Sequence, residues 1–153
     1  MKKFLGVVLA GLLSVACAAC GGSKSEAAVC TLEIENVGVV YEMTLEAEND
    51  IVHTLTQVTT VNLSAFPEDQ IALLDENIEQ YEEVYKEYEG TEYSAEVKDN
   101  MMYETIVIDL TNTETVDALR EAELLPIEGE SNGISLEKTM ENLESLGWTV
   151  EKK

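Results

Sequence analysis

Residues 39–52 read VVYEMTLEAENDIV, and the alternation within them decides the fold. Val39, Tyr41, Met43, Leu45 and Ala47 fall on one side of an extended chain, while Glu42, Thr44, Glu46 and Glu48 fall on the other. A period of two with one apolar side is the pattern of a strand that lies on a core and shows its other face to water. Glu48-Asn49-Asp50 then supplies a hairpin turn, since Asn and Asp tolerate the left-handed backbone that tight turns need.

The pattern continues in both directions. Upstream, Cys30, Leu32 and Ile34 alternate with Thr31, Glu33 and Glu35, and Asn36-Val37-Gly38 offers the turn into the next strand. Downstream, a third strand runs from about Ile51 to Leu63, rich in Val and Thr, and loses its alternation around Gln57, where a bulge is expected. Past Pro67 the period changes: Ile71, Leu74, Ile78, Tyr81, Tyr85 and Tyr88 recur every three or four residues, predicting one long amphipathic helix that Gly90 ends. Thr91 to Lys98 and Met102 to Leu110 read as two more strands joined across Asp99-Asn100. A short helix from about Thr113 to Ala122 stops before Pro126, and an acidic stretch runs on from Glu128-Gly129-Glu130 to Asn132-Gly133. Ser135 is placed to cap a last helix whose apolar side is Leu136, Met140, Leu143 and Leu146; Gly147 ends it and Trp148-Thr149-Val150 returns to the sheet. The order βββαββααβ implies an α+β fold, an antiparallel sheet with helices packed on one face, in a single domain over residues 30–153.

The amino end has a different character. Lys2 and Lys3 precede an apolar run from Phe4 to Ala16. The run is shorter than the roughly 20 residues that cross a bilayer, so residues 1–19 read as a signal peptide. The junction after the run resembles a lipobox. Cys20 stands behind Ala18-Ala19 and ahead of Gly21-Gly22-Ser23-Lys24-Ser25, making it the expected lipidation site; Cys17, behind Ser14-Val15-Ala16, is the alternative. Residues 20–29 are too polar and small to order themselves and read as a flexible tether. The expectation is an extracytoplasmic protein, lipid-anchored to the bacterial cell membrane, where two acyl chains give stable attachment.

Charge excludes one large class of partner. With 31 acidic against nine basic side chains and a net charge of −22, the chain repels nucleic-acid phosphates and anionic headgroups. No nucleic-acid partner is expected, and membrane contact falls to the acyl chains. If Cys20 carries the lipid, Cys30 is a lone thiol, read as a small buried hydrophobe; if Cys17 carries it, a Cys20–Cys30 bridge is open.

Chemistry is sparse in the remaining sequence. His53 is the one histidine, and no glycine-flanked nucleophile is present. A Cys30–His53 thiol and base is conceivable across neighbouring strands but weighs less than a structural role for each. One thiol and one imidazole fall short of a zinc site. No catalytic residue, bound metal or cofactor is therefore expected. Carboxylates crowd at Glu46, Glu48 and Asp50, at Glu82, Glu83, Glu87 and Glu89, and at Glu128 and Glu130, as a solvated acidic surface with weak divalent-cation binding as the alternative. Tyr81, Tyr85 and Tyr88 read as core residues before they read as a sugar or peptide groove, and Trp148 as a core anchor.

Taken together, these features resemble the YehR-like family of bacterial lipoproteins. The resemblance spans Leu32 to Val150 and rests on the lipobox, Glu48-Asn49-Asp50-Ile51-Val52, Glu104-Thr105-Ile106-Val107-Ile108-Asp109, Gly133-Ile134-Ser135-Leu136-Glu137 and Leu146-Gly147-Trp148. It implies an α+β lipoprotein and carries over no catalytic or binding residue, because the family is one of unknown function. The function expected is that of a non-enzymatic binding or interaction module of the cell envelope, its partner another envelope protein. The alternative is an extracytoplasmic protein that binds a small ligand or a divalent cation. A filled core favours the first, and an apolar pocket with a few convergent polar groups favours the second.

Overall fold

Two hairpins with two-residue turns organise the sheet. Asn49 and Asp50 adopt φ of 52° and 69°, and Asp99 and Asn100 adopt 51° and 61°, the left-handed pairs whose twist matches that of the flanking strands. The computed structural model describes residues 24–128 and 133–153. Its strands are β1 (Ser25–Ile34), β2 (Val39–Glu48), β3 (Ile51–Asn62), β4 (Thr91–Lys98), β5 (Met101–Asp109), β6 (Ile134–Ser135) and β7 (Thr149–Lys152). The helices are α1 (Glu68–Ile71), α2 (Leu74–Lys86), α3 (Thr113–Glu121) and α4 (Leu136–Ser145). All the pairings are antiparallel, in the order β4-β5-β3-β2-β1-β7, with β6 on β3.

The register sorts the side chains into two faces. Leu45 lies opposite Leu55 on one side and Ala28 on the other, and Leu55 lies opposite Ile108, so one apolar row crosses four strands. Met43, Leu45, Leu55 and Ile108 are all wholly buried. They share a core with Tyr85 of α2, Val116 and Leu119 of α3, and Leu136 and Leu143 of α4. Each fully buried leucine contributes roughly 1.5–3 kcal/mol relative to exposure. The opposite face, with Glu42, Thr44, Thr56 and Thr105, is half-buried or exposed. The antiparallel α+β architecture is the one expected.

Several local expectations need correction. The bulge is not at Gln57, which pairs regularly with Met43 and Ile106; the register shifts between Glu46 and Ala47, where His53 is the extra residue on β3. Gln57 breaks the apolar alternation without breaking the ladder, its amide donating to Thr59 Oγ1 at 3.4 Å. The long helix is two helices, interrupted at Ala72 and Leu73, where the N–H of Leu73 turns back to the Gln70 carbonyl at 3.2 Å. Residues 25–29, expected in a flexible tether, belong to the sheet, because β1 begins at Ser25: Ala28 is wholly buried, and the Lys153 N–H donates to the Ala27 carbonyl at 2.8 Å. Glu26 is held between Lys24 and Lys152, at 2.7 and 2.6 Å, which ties the start of β1 to the end of β7. The two-residue strand β6 has no counterpart in the order expected from the sequence. The signal peptide of residues 1–19, Cys17, Cys20 and Glu130 lie outside the described residues. Among the described residues no helix is long and apolar enough to cross a membrane.

Candidate functional site

A second, smaller apolar cluster, in which Val39, Val61 and Leu63 are buried, stands beside the main core. At the end where β1 closes and β2 opens, two rows of inward-facing residues floor a groove. Tyr41, Thr59 and Glu104 make one row across β2, β3 and β5, and Val39, Val61 and Met102 make the next. The wall is the segment between β3 and α2. Its apolar side chains are Leu63, Phe66, Ile71, Leu73 and Leu74, with Gln70 and Asn77 as the polar ones. The space measures about 460 Å³, within the range of roughly 300–1,000 Å³ typical of small-molecule sites.

Local interactions hold the wall away from the floor. The Asn62 side chain accepts the Ser64 N–H at 3.0 Å and starts a 3₁₀ turn, Leu63–Ala65. Asn100, in the β4–β5 turn, grips that segment twice: its carbonyl accepts the Leu63 N–H at 3.0 Å, and its amide donates to Ser64 Oγ at 2.6 Å. Pro67 then presets the entry into α1, and the interruption after Ile71 re-aims the chain so that Ile71, Leu73 and Leu74 all reach the groove. Leu73 is 53% exposed at the rim.

Among the described residues, Glu104 is the one charged residue lining the groove. The Tyr93 hydroxyl donates to its Oε1 at 3.0 Å. Tyr93 is itself fixed by stacking, its ring 5.5 Å from that of Tyr85 at an interplanar angle of 6°, and 6.1 Å from that of Tyr81. Burial pushes the Tyr85 phenol up to about 12, and burial together with the neighbouring Glu104 carboxylate pushes Tyr93 up as well. Both phenols are therefore neutral donors at physiological pH. Beyond the groove floor, Tyr41 meets Trp148 with ring centroids 6.2 Å apart.

The residues singled out in the sequence are distributed differently. Tyr85 is core, Tyr88 half-buried and Tyr81 half exposed; none of the three lines the groove, whereas Tyr41 does. Trp148 packs against the core from a half-buried position. Cys30 is wholly buried in β1 opposite Met43 and Val150, and burial, with a smaller contribution from Glu144, pushes its thiol up to about 11. His53 is on β3, with β2 between it and β1, so the structure does not bring His53 to Cys30. Its Nδ1 lies 2.9 Å from Thr54 Oγ1, in a shallow surface depression that also holds Asp109 and Thr111. Two bonds from Thr111, from its hydroxyl at 2.6 Å and its N–H at 2.9 Å, hold the Asp109 carboxyl below the usual carboxylate range. The carboxylates do not converge: among the described residues no three His, Cys, Asp or Glu side chains are grouped to hold a metal. Asp50 serves as a helix cap instead.

Glu104, Thr59 and the wall residues do not stand out as a site in the sequence. One signal was available for Glu104, a carboxylate at an inward position of a strand that otherwise presents Met102, Ile106 and Ile108.

Known structures share this fold. The NMR structure of the E. coli YehR protein matches with a TM-score of 0.61 at 18% identity, over 85% of this chain and 93% of that one. The NMR structure of a protein from Streptococcus pneumoniae TIGR4 matches with a TM-score of 0.55 at 10% identity, over 99% of this chain and 98% of that one. At these identities the likeness is one of fold. No curated protein sequence matches the chain. The family model that does match covers residues 29–149, from within β1 to the first residue of β7, and the chain thus belongs to DUF1307, a family of proteins of unknown function.

Proposed function

We propose that this chain is a non-enzymatic binding protein of the cell envelope, anchored through an acylated Cys20 and taking a small ligand in the groove. The observation that carries the binding reading is the groove itself. Beside the buried Val39, Val61 and Leu63, the half-buried Tyr41, Phe66, Ile71, Leu74 and Met102 leave a space of about 460 Å³, which the polar residues Thr59, Gln70, Asn77 and Glu104 also line. This favours a small ligand over the filled core that an interaction module would present. The lone thiol is sealed in the core and the lone histidine is on another strand, which supports binding over catalysis.

The geometry suits a tethered receptor. Ser25, where the chain enters the sheet, is at one end of β1, and the groove is at the other end, level with Leu32 and Ile34, the partners of Tyr41 and Val39. Ten strand residues separate the two by about 30 Å at the usual rise per residue. A lipid on Cys20 would hold the first end near the bilayer and turn the groove toward the surrounding space.

Two experiments test the two halves. Intact-mass analysis of the membrane-extracted protein should give a diacylglyceryl mass on Cys20 that is lost in Cys20→Ala; an unmodified soluble chain would overturn the anchor. Saturation-transfer NMR against a fragment collection should yield binders that disappear in Leu73→Trp, where an indole at the rim fills the opening. Binders unaffected by that substitution would overturn the groove reading.

A further inference from the structure

We infer that the groove selects a small organic cation, an apolar body carrying a protonated amine that pairs with Glu104. The inference rests on the groove being a small-ligand site and assigns its ligand class.

Charge compensation decides that class. Glu104 is half-buried on the floor, with Tyr93 as the donor to one of its oxygens. Among the described residues no donor reaches its second oxygen, no salt bridge includes it, and no lysine, arginine or histidine lines the groove. An occupant that closes over this floor takes the carboxylate out of water. A neutral apolar occupant leaves a desolvated charge without compensation, and an anion adds repulsion to that cost. An ammonium group removes the cost by forming a charge-assisted hydrogen bond with the free oxygen. The aromatic ring of Tyr41, on the same row as Glu104, offers the cation a second favourable surface. Around the site, a chain with a net charge of −22 concentrates small cations and repels small anions.

The arrangement of Tyr81, Tyr85 and Tyr93 then acquires a role. Stacking fixes the Tyr93 ring, and its hydroxyl holds one oxygen of Glu104, a residue that lines the groove. Tyr93 is a positioning residue, and Glu104 is the one that would touch the ligand.

The test uses the full chain in nanodiscs, with empty nanodiscs as background, and three probes of one shape: 3-phenylpropylamine, 3-phenylpropanol and 3-phenylpropanoate. Titration calorimetry should show the amine binding about tenfold more tightly than the alcohol, the difference expected of one charge-assisted bond, and the carboxylate not at all. Glu104→Gln should abolish the preference for the amine, weakening the amine while the alcohol, no longer burying an unpaired charge, does not weaken, with the far-UV circular dichroism of the parent. Tyr93→Phe keeps the charge and should hold the amine within about threefold. Equal binding of amine and alcohol, or an amine affinity insensitive to Glu104→Gln, would overturn the cation assignment while leaving the groove reading intact. A large loss in Tyr93→Phe with none in Glu104→Gln would move recognition to the phenol and overturn it also. If only an apolar peptide bearing a lysine binds, the occupant is a peptide and the small-ligand assignment falls; if nothing binds, the groove reading falls with it.

Discussion

The carboxylate of Asp50 accepts the Ser135 hydroxyl at 2.7 Å across 85 residues of sequence, and its other oxygen accepts the Glu137 N–H at 2.9 Å. Ser135 in turn accepts the Lys138 N–H at 3.2 Å. A residue in the β2–β3 turn thus completes the cap of α4, with negative charge at the positive end of the helix dipole. The same turn anchors β6, since the Leu136 N–H donates to the Asp50 carbonyl at 2.8 Å.

Asp50→Ala should therefore lower stability by about 1–2 kcal/mol, the usual cost of a lost cap, measured as a shift in the urea midpoint with an unchanged slope. The two accepted bonds hold the Asp50 carboxyl below its usual value of 3.8. A depressed carboxyl pKa contributes stability that is fully present above the unfolded value and lost as pH falls through the folded one. The parent should thus lose stability on acidification below about pH 4, and Asp50→Ala should lose less over the same interval. Parallel acid curves for the two proteins would contradict the cap.

Cys30 should be inert in the folded protein. Its side chain is sealed in the core, and its thiol, pushed up to about 11, is almost wholly protonated at neutral pH. Maleimide should label this position only after denaturation. Cys30→Ser, which places a hydroxyl among apolar neighbours, should cost about 1–3 kcal/mol. Fast native labelling at Cys30 would show that β1 and β7 open readily.

The tyrosines should titrate in two groups. Of the six, Tyr85 is pushed up to about 12 and Tyr93 is also raised. A raised phenol pKa means that the folded state holds its proton more tightly than the unfolded state. The stability this provides is complete below the unfolded value, and it is lost as pH rises from about 10 through the folded value. Absorbance at the phenolate band should show Tyr85 and Tyr93 ionising only as the chain unfolds. A single transition near pH 10 would contradict the stacking.

The sheet was legible because each strand obeys one local rule. Alternation in residues 39–47, with Asn49-Asp50 and Asp99-Asn100 as the turns, specifies register almost unaided. The groove was not legible, because it depends on where the pattern stops short. Ile71, Leu74, Ile78 and Tyr81 have the spacing of one continuous helix, and no glycine or proline marks the interruption at Ala72 and Leu73. The groove wall also depends on a contact between residues far apart in sequence, the hold of Asn100 on Leu63 and Ser64, which a local reading does not contain. His53 as the bulge is a similar case, since nothing in its neighbours distinguishes it from the polar but regular Gln57. Glu104 left a trace as a charge out of phase with its strand. Its partner Tyr93 is on a different strand and emerges only from the pairing of β4 with β5.

The central claim is that the groove at the Val39 end of the sheet is a binding site, and amide chemical-shift mapping tests it most directly. With 3-phenylpropylamine added to ¹⁵N-labelled protein, the perturbed resonances should be those of Thr59, Val61, Leu74, Asn77 and Glu104, with Glu26 and Asp109 at the other end unmoved. Perturbations scattered over the open face of the sheet, or none at saturating probe, would contradict it.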